Sequence, residues 1–374
     1  MFYFYEKGEM RIGIDASRAF MKDRTGIEEY SHQVVKYLLN NLNGHEVIVY
    51  LRKDGVVNSG IKKIKYRKNI KIKVVKFHRF WTQVGLAMDI LFDPVDILFI
   101  PAHTIPWIHP KNTVVTIHGL EYEHCPESYS LYSRIMHRFF IRKSCRWAKN
   151  IIAVSQKTKK DLATMYKVPT DKIKVIYNGF NKQSLKNSSH ASFGKKNGFV
   201  LYIGRLERRK NIKGIIGAFE ILKERYNYNG SLLLVGRPGY GYKEIKARIR
   251  QSKFRKEIME KGFVGEEEKK KLLKEADVFL FPSLSEGFGI PILEAQSAGC
   301  PVVTSNYGPM DEVAGNGDAL VDPRKITEVA LLANKLMVDE KFRKAVIVRG
   351  LENTKRFSWE DCGERTRNVI LSTK

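Results

Sequence analysis

Short apolar runs alternate along the chain with longer segments whose apolar residues recur at helical spacing. Residues 11–15 (RIGID) read as a buried first strand, and 27–42 carries Val34, Val35, Leu38, Leu39 and Leu42 at the period of an amphipathic helix. Gly44 breaks that helix before a second strand at 46–51. Strands are predicted again at 96–100, 114–118 and 150–154, each short and apolar, as in a parallel sheet covered on both faces. The stretch IKIKVVKF, within 61–79, alternates at strand period. Segment 133–149 is a long helical stretch mixing Ile135, Met136, Phe139, Phe140 and Trp147 with Arg134, Arg138, Arg142, Lys143, Arg146 and Lys149.

Segment 181–198 is rich in Asn, Ser, Lys and Gly and has no apolar period, which marks a linker. After it come a strand at 199–203, a turn at 204–211, a helix at 212–225, a strand at 231–235 and helices at 242–251 and 267–275. A strand at 278–281, a helix starting at Pro291 and a strand at 301–304 follow, and the alternation runs on to Val321 before helices at 327–337 and 340–357. Repeated alternation of this kind predicts an α/β fold of two Rossmann-like doubly wound domains facing across a cleft. The expected domains are 10–180 and 199–356, with a terminal helix, 357–374, packing back on the first. Ligands of such sheets sit at the carboxyl ends of the strands.

Composition narrows the partner more than the fold. The 374 residues are long for one core, and a net charge of +26 points to something anionic: nucleic acid, acidic lipid or a phosphorylated small molecule. The first 190 residues carry +16 of it, and 61–79 holds nine basic residues and no acid. Cys125, Cys145, Cys300 and Cys362 form no CxxC pair, which argues against a zinc site or disulfide framework and fits buried thiols in reducing cytosol. The start, MFYFYEKGEM, has acids where a signal peptide has a basic region. The most apolar stretch, 90–108, is interrupted by Asp93, Pro94, Asp96, Pro101 and His103, so no membrane-spanning helix is expected. A cytoplasmic protein, soluble or peripheral on the inner face of the membrane, is the expectation.

Candidate chemistry concentrates in 277–305, DVFLFPSLSEGFGIPILEAQSAGCPVVTS. A strand enters a turn carrying Glu286, and the following helix carries Glu294. Gly287 and Gly289 permit φ > 0 and close backbone approach, and Pro291 fixes the helix start, whose unpaired amides suit a phosphate. The alternative is that Glu294 merely complements the helix dipole. A second cluster, Gly204, Arg205, Arg208, Arg209, Lys210 and Asn211, joins the strand at 199–203 to its helix. Arg205 and Lys210 can straddle a diphosphate, one as a fork and the other as a point charge. That turn lacks a full GxGxxG and a suitably placed acid, which makes a nicotinamide dinucleotide a poor fit. In the first half, His118 ends a buried strand in TIHGLEYEH, and His103 holds a similar position. Either is a cleft residue or a satisfied core histidine.

Gly204-Arg205 with Lys210-Asn211, Glu286-Gly-Phe-Gly-Ile-Pro through Glu294-Ala, then Gly299, Pro301-Val-Val and Glu312-Val-Ala-Gly together resemble a retaining glycosyltransferase of family 4, with the two-lobed GT-B fold. In the first half, 96–110 and 114–120 are similar to bacterial mannosyltransferase-like members. The resemblance implies that Arg205 and Lys210 bind the donor diphosphate, that Glu294 accepts from the ribose hydroxyls, and that Glu286 holds the transferred sugar. Backbone of Gly287, Phe288, Gly289 and Ile290 would cap phosphate and sugar, Val264 would border the base, and His118 would reach the donor sugar, its main-chain carbonyl near the anomeric centre. Gly26 stands alone where the family often has clustered glycines, and Gly119 stands where relatives often have Asp. The implied chemistry is transfer of a hexose, mannose first, to a glycan or lipid-linked acceptor in cell-surface polysaccharide synthesis. GDP-mannose is the first donor and a UDP-sugar the second. No DxD triplet is present to carry a metal, so no cofactor is expected. The basic stretches imply a possible anionic membrane partner. A nucleic-acid-binding protein would explain the charge but not the Gly and Glu pattern, and a nucleotide-sugar epimerase would share the diphosphate site without an acceptor.

Overall fold

The computed structural model describes residues 8–53, 68–77, 80–182, 198–315 and 319–373. It divides into two compact units. The first comprises Met1–Leu120, Ile135–Gly179 and Phe357–Lys374, the second Glu121–Arg134 and Phe180–Arg356.

The first unit is built on seven parallel strands: β1 (Arg11–Asp15), β2 (Glu46–Arg52), β3 (Ile70–Val75), β4 (Ile97–Ile100), β5 (Asn112–Ile117), β6 (Asn150–Ala153) and β7 (Ile173–Val175), in the order β3-β2-β1-β4-β5-β6-β7. β1 lies inside the sheet between β2 and β4, with Ile14 opposite Val49 on one side and Phe99 on the other. Strands buried on both faces favour apolar residues at most positions, which is why they read as apolar runs; one buried polar exception, Thr116 in β5, is paired with Tyr30 Oη at 2.9 Å. Helix Gly26–Asn41 lays Tyr30, Val34 and Leu38 on the sheet beside Ile12, Ile14 and Val49. Each such fully buried aliphatic side chain contributes about 1.5–3 kcal/mol.

The terminal helix, Trp359–Leu371, belongs to this first unit and packs against Gly26–Asn41. The approach is close: a Cβ on Gly363 would fall 2.3 Å from Tyr37 Cγ. Asn150 Nδ2 ties down the end of the chain by donating to Thr373 Oγ1 at 2.8 Å.

The second unit has six parallel strands: β8 (Phe199–Ile203), β9 (Ser231–Val235), β10 (Ile258–Lys261), β11 (Val278–Phe281), β12 (Val302–Ser305) and β13 (Leu320–Val321), in the order β10-β9-β8-β11-β12-β13. Strand order reverses direction between β8 and β11, as it does between β1 and β4 in the first sheet. Such switch points open a crevice at the carboxyl ends of the two strands.

The structure differs from the sequence expectation in several places. Residues 121–134, expected within the first domain, cluster with the second unit, where Arg208 Nη1 donates to Glu127 O at 2.8 Å. The single helix expected at 340–357 is two: Glu340–Asn353 ends in a tight turn, and Ser358 caps the next helix by accepting from Asp361 N. β7, β10, the helix Gln156–Tyr166 and the helical turns from Trp81 to Phe92 were not anticipated. Most of the linker at 181–198 and much of the basic run at 61–79 lie outside the described residues. All four cysteines are buried free thiols. Among the described residues no helix is long and apolar enough to cross a membrane.

Candidate active site

The two loops that leave β8 and β11, the strands flanking the second switch point, carry the cluster of charge. β8 ends at Ile203, and Gly204 takes φ +156°. A glycine is required on both sides of this turn: a Cβ on the neighbouring Gly236, at φ +144°, would lie 1.9 Å from Gly204 O. One tight turn, Arg208–Lys210, then leads to Asn211 in the left-handed region at φ 57°. Asn211 Nδ2 ties this loop to the one after β11 by donating to Pro282 O at 3.2 Å, and to the segment after β13 by donating to Pro323 O at 2.7 Å.

That geometry turns Arg209 and Lys210 inward onto Glu286. Lys210 Nζ pairs with Glu286 Oε1, and Arg209 Nη1 donates to Glu286 Oε2 at 3.0 Å and to Ser285 O at 3.1 Å. Arg209 Nη2 also meets Glu207 Oε1 at 2.8 Å. The side chains of Lys210 and Glu286 are 10% and 8% exposed, so these charges interact with little screening. Burial pushes the Glu286 carboxyl up, but Lys210 and Arg209 outweigh it and hold its pKa below the ordinary value. Burial, followed by repulsion from Arg209, depresses the Lys210 ammonium despite the pull of Glu286. Nearby Glu121 is raised by its own burial, against the attraction of Arg209. Lys210 Nζ also stands 5.2 Å above the Phe281 ring.

The helix after the loop begins at Ile290, one residue earlier than expected, from Gly289 at φ +110°. Of the two loop glycines only Gly289 takes positive φ, so the expectation for Gly287 is corrected on that point. Glu294 lies in the second helical turn and not the first, beyond the reach of a simple dipole argument. It is buried, and Lys269 Nζ, from helix Glu266–Glu275, meets its Oε1 at 2.6 Å. Val264 is half-buried just before that helix, and Phe288 is buried in the loop core.

The remaining expected residues are placed differently. Arg205 is exposed beyond β8 and has no side-chain partner among the described residues; its carbonyl accepts from Tyr202 Oη at 3.0 Å. Gly26 opens helix Gly26–Asn41 without positive φ. In the first unit His118 is buried just past β5, its Nε2 2.7 Å from Pro101 O. A carbonyl only accepts, so Nε2 carries the hydrogen. The His118 ring lies edge-on to Tyr30 at 4.7 Å and to His103 at 5.2 Å. Burial lowers its pKa to about 4, the Pro101 contact opposing, which leaves the ring neutral at pH 7.

Sequence reasoning missed the parts played by Arg209 and Lys269. Arg209 stood in the right turn, but three consecutive cations give no sign of which one faces inward. Lys269 sits in the run EEEKKK, where the helical face is decided only by packing.

An arrangement of one buried and one half-buried cation with an ionised carboxylate at a switch point suits an anionic ligand bearing hydroxyl groups. Comparison with known proteins agrees. The description "Glycosyltransferase Family 4" matches residues 24–184 and "Glycosyl transferases group 1" matches 185–352. The chain is 29% identical over 267 residues to O-antigen chain mannosyltransferase B of Escherichia coli, covering 69% of this chain and 70% of the relative. It is 30% identical over 272 residues to an uncharacterized glycosyltransferase of Methanocaldococcus jannaschii, covering 68% of each. In fold it is similar to Anabaena HepE in complex with UDP and glucose, at TM-score 0.72 and 19% identity, over 97% of this chain and 100% of that one. The chain belongs to the family 4 glycosyltransferases, is similar to their bacterial mannosyltransferase members, and is an enzyme of the hexosyltransferase type with the two-domain GT-B fold.

Proposed function

We propose that the protein transfers a hexose, mannose, from a nucleotide-diphosphate sugar to a glycan or lipid-linked acceptor in cell-surface polysaccharide synthesis, with retention and without a metal. The observation that carries this reading is the cluster of Arg209 and Lys210 on Glu286 at the second switch point. GDP-mannose is the first donor, supported by similarity to an O-antigen mannosyltransferase. A UDP-sugar is second, supported by a fold neighbour determined with UDP.

In this reading Lys210 and Arg205 take the donor diphosphate, and Glu286 accepts from the hydroxyls of the transferred sugar while Arg209 fixes its carboxylate. Glu294 accepts from the ribose, Val264 borders the base, and the backbone of Gly204 and of Gly287, Phe288, Gly289 and Ile290 lies along phosphate and sugar. The anomeric carbon loses its bond to phosphate and gains one to the acceptor oxygen on the same face. The leaving phosphate oxygen takes the acceptor's proton. Lys210 stabilises the charge that builds on the diphosphate, the kind of preorganised electrostatic term that dominates many enzymes. The test is incubation with GDP-mannose and acceptor in excess chelator, with the anomeric configuration of the product read by NMR. Retained configuration and undiminished GDP release are expected; an inverted product or loss of turnover with chelator contradicts the reading.

The acceptor side is read from the first unit. Helix Leu131–Trp147 exposes Ile135 and Phe139 beside Arg142 and Arg146, and Trp107, 51% exposed, packs on Phe139 and Trp147 at 6.3 and 5.6 Å. Lys143 Nζ lies 5.8 Å from the Phe139 ring centroid. Aromatic and aliphatic side chains interleaved with cations suit an anionic membrane surface carrying a lipid-linked acceptor.

A further inference from the structure

Lys269 is the one lysine of its helix's first two turns that turns inward. Its side chain is 14% exposed, whereas neighbouring Glu267 is 88% exposed and Lys270 35%. Its Nζ is held between two carboxylates, Glu294 Oε1 at 2.6 Å and Glu266 Oε1 at 2.8 Å. Burying a long cationic side chain costs desolvation and rotamer freedom, and a buried ion pair returns little net stability for it. Two alternative uses are ruled down by the geometry. A surface pair serving helix propensity needs no partner on another helix, yet Glu294 belongs to Ile290–Ser297. A purely apolar packing role would not place the ammonium in line with a carboxylate oxygen.

Resting on the reading of Glu294 as the ribose acceptor, we propose that Lys269 is the positioning residue of the ribose subsite: it holds the Glu294 carboxylate as an anion in one orientation, and so sets how strongly the enzyme recognises the ribose hydroxyls of its donor. A carboxylate offers about four lone-pair directions, so the lysine can fix Oε1 and leave the group able to accept from a hydroxyl. Without the lysine, an anion on a buried helix face either takes up a proton or swings toward water, and in both cases the hydroxyl loses its acceptor. The raised pKa of Lys269, where burial acts downward and Glu294 and Glu266 outweigh it, keeps the ammonium charged over the working pH range.

The experiment compares the binding of GDP with 2′-deoxy-GDP, and of UDP with 2′-deoxyuridine diphosphate, to the full chain by titration calorimetry. Wild type is expected to prefer the ribonucleotide by roughly tenfold, the value of one charge-assisted hydrogen bond. Lys269→Met is expected to bind the ribonucleotide roughly tenfold more weakly and the deoxynucleotide almost unchanged, so that the preference disappears. Lys269→Arg restores most of it. If Lys269→Met does not fold, Lys269→Leu, which likewise cannot donate, is read in the same way. A folded Met or Leu variant that keeps the full preference overturns the role of Lys269. Glu294→Leu, which removes the acceptor, separates the two layers. If that variant loses the preference while Lys269→Met keeps it, only the lysine's role is wrong; if a folded Glu294→Leu keeps it, the ribose assignment of Glu294 is wrong.

Discussion

Arg209 grips Glu286 and the chain beside it at once: Nη1 lies 3.0 Å from Glu286 Oε2 and 3.1 Å from Ser285 O. One guanidinium therefore adds to the pull of Lys210 that keeps the carboxylate ionised and also fixes the path of the loop that presents it. Arg209→Ala leaves Glu286 and Glu207 short of a cation in a buried setting, and is expected to destabilise the fold by about 3–5 kcal/mol. Turnover should fall by roughly 100-fold or more, as when a preorganised electrostatic contact is lost. Arg209→Lys keeps the charge but cannot form the fork, and should lie between the two. Denaturant melts and steady-state rates on the three proteins check both effects; an Ala variant of wild-type stability contradicts the central place given to this residue.

Gly236 holds the first loop of the site from behind. At φ +144°, where a Cβ would fall 1.9 Å from Gly204 O, it has no room for any side chain. Gly236→Ala is expected to cost about 2 kcal/mol or more, from backbone strain plus the clash, and to weaken donor binding because the Gly204 turn must move. Gly262→Ala, where a Cβ would meet nothing within 4 Å, is the matched control and should be close to neutral.

Acid should loosen the first unit through its paired histidines. His118 has its pKa lowered from 6.5 to about 4 and His103 well below 6.5, both first of all by burial. In the unfolded chain both rings take up protons near pH 6.5, while in the folded chain they resist. Stability from this source is therefore complete above about pH 6.5 and declines as pH falls toward 4. For His118 alone the loss is on the order of 3 kcal/mol. His118→Asn should flatten the fall in melting temperature between pH 6.5 and 4; an unchanged slope would show that His118 is not buried neutral.

Membrane attachment, if it uses the face described, should depend on both its rings and its charges. Replacing Arg142 and Arg146 by Gln is expected to lower binding to phosphatidylglycerol-containing vesicles by roughly 10- to 30-fold, at about 1 kcal/mol per cation near the surface. Replacing Trp107 and Phe139 by Ser should lower it further and in a way that added salt does not mimic. Binding that ignores all four changes contradicts the assignment of this face.

Much of the fold was legible because buried parallel strands leave a plain mark. β8, β9 and β11 are apolar at nearly every position and β1 and β2 are apolar between charged ends, and the expected bounds of each lie within a residue or so of the observed ones. The missed elements lack that mark. β10 (IMEK) buries only Ile258, and β7 has three residues. Helix Gln156–Tyr166 is polar apart from a few positions, with Leu162 its one large apolar residue fully inside. The chain crossing at 121–134 left no trace because a few contacts such as Arg208 to Glu127 O, rather than any local pattern, attach it to the second unit. At the site, Glu286, Glu294 and Lys210 stood out through spacing from glycines and prolines that constrain the backbone. Arg209 and Lys269 did not, because a run of like charges carries no period and only tertiary packing selects the member that turns inward.

The most direct test of the whole account is a thermal-shift screen of the full chain against GDP- and UDP-sugars, repeated with Lys210→Ala and Glu294→Ala. One nucleotide sugar, GDP-mannose first, is expected to raise the melting temperature of the wild type, and each substitution to remove most of that rise. A rise of the same size in both variants would contradict the site assigned to the second unit.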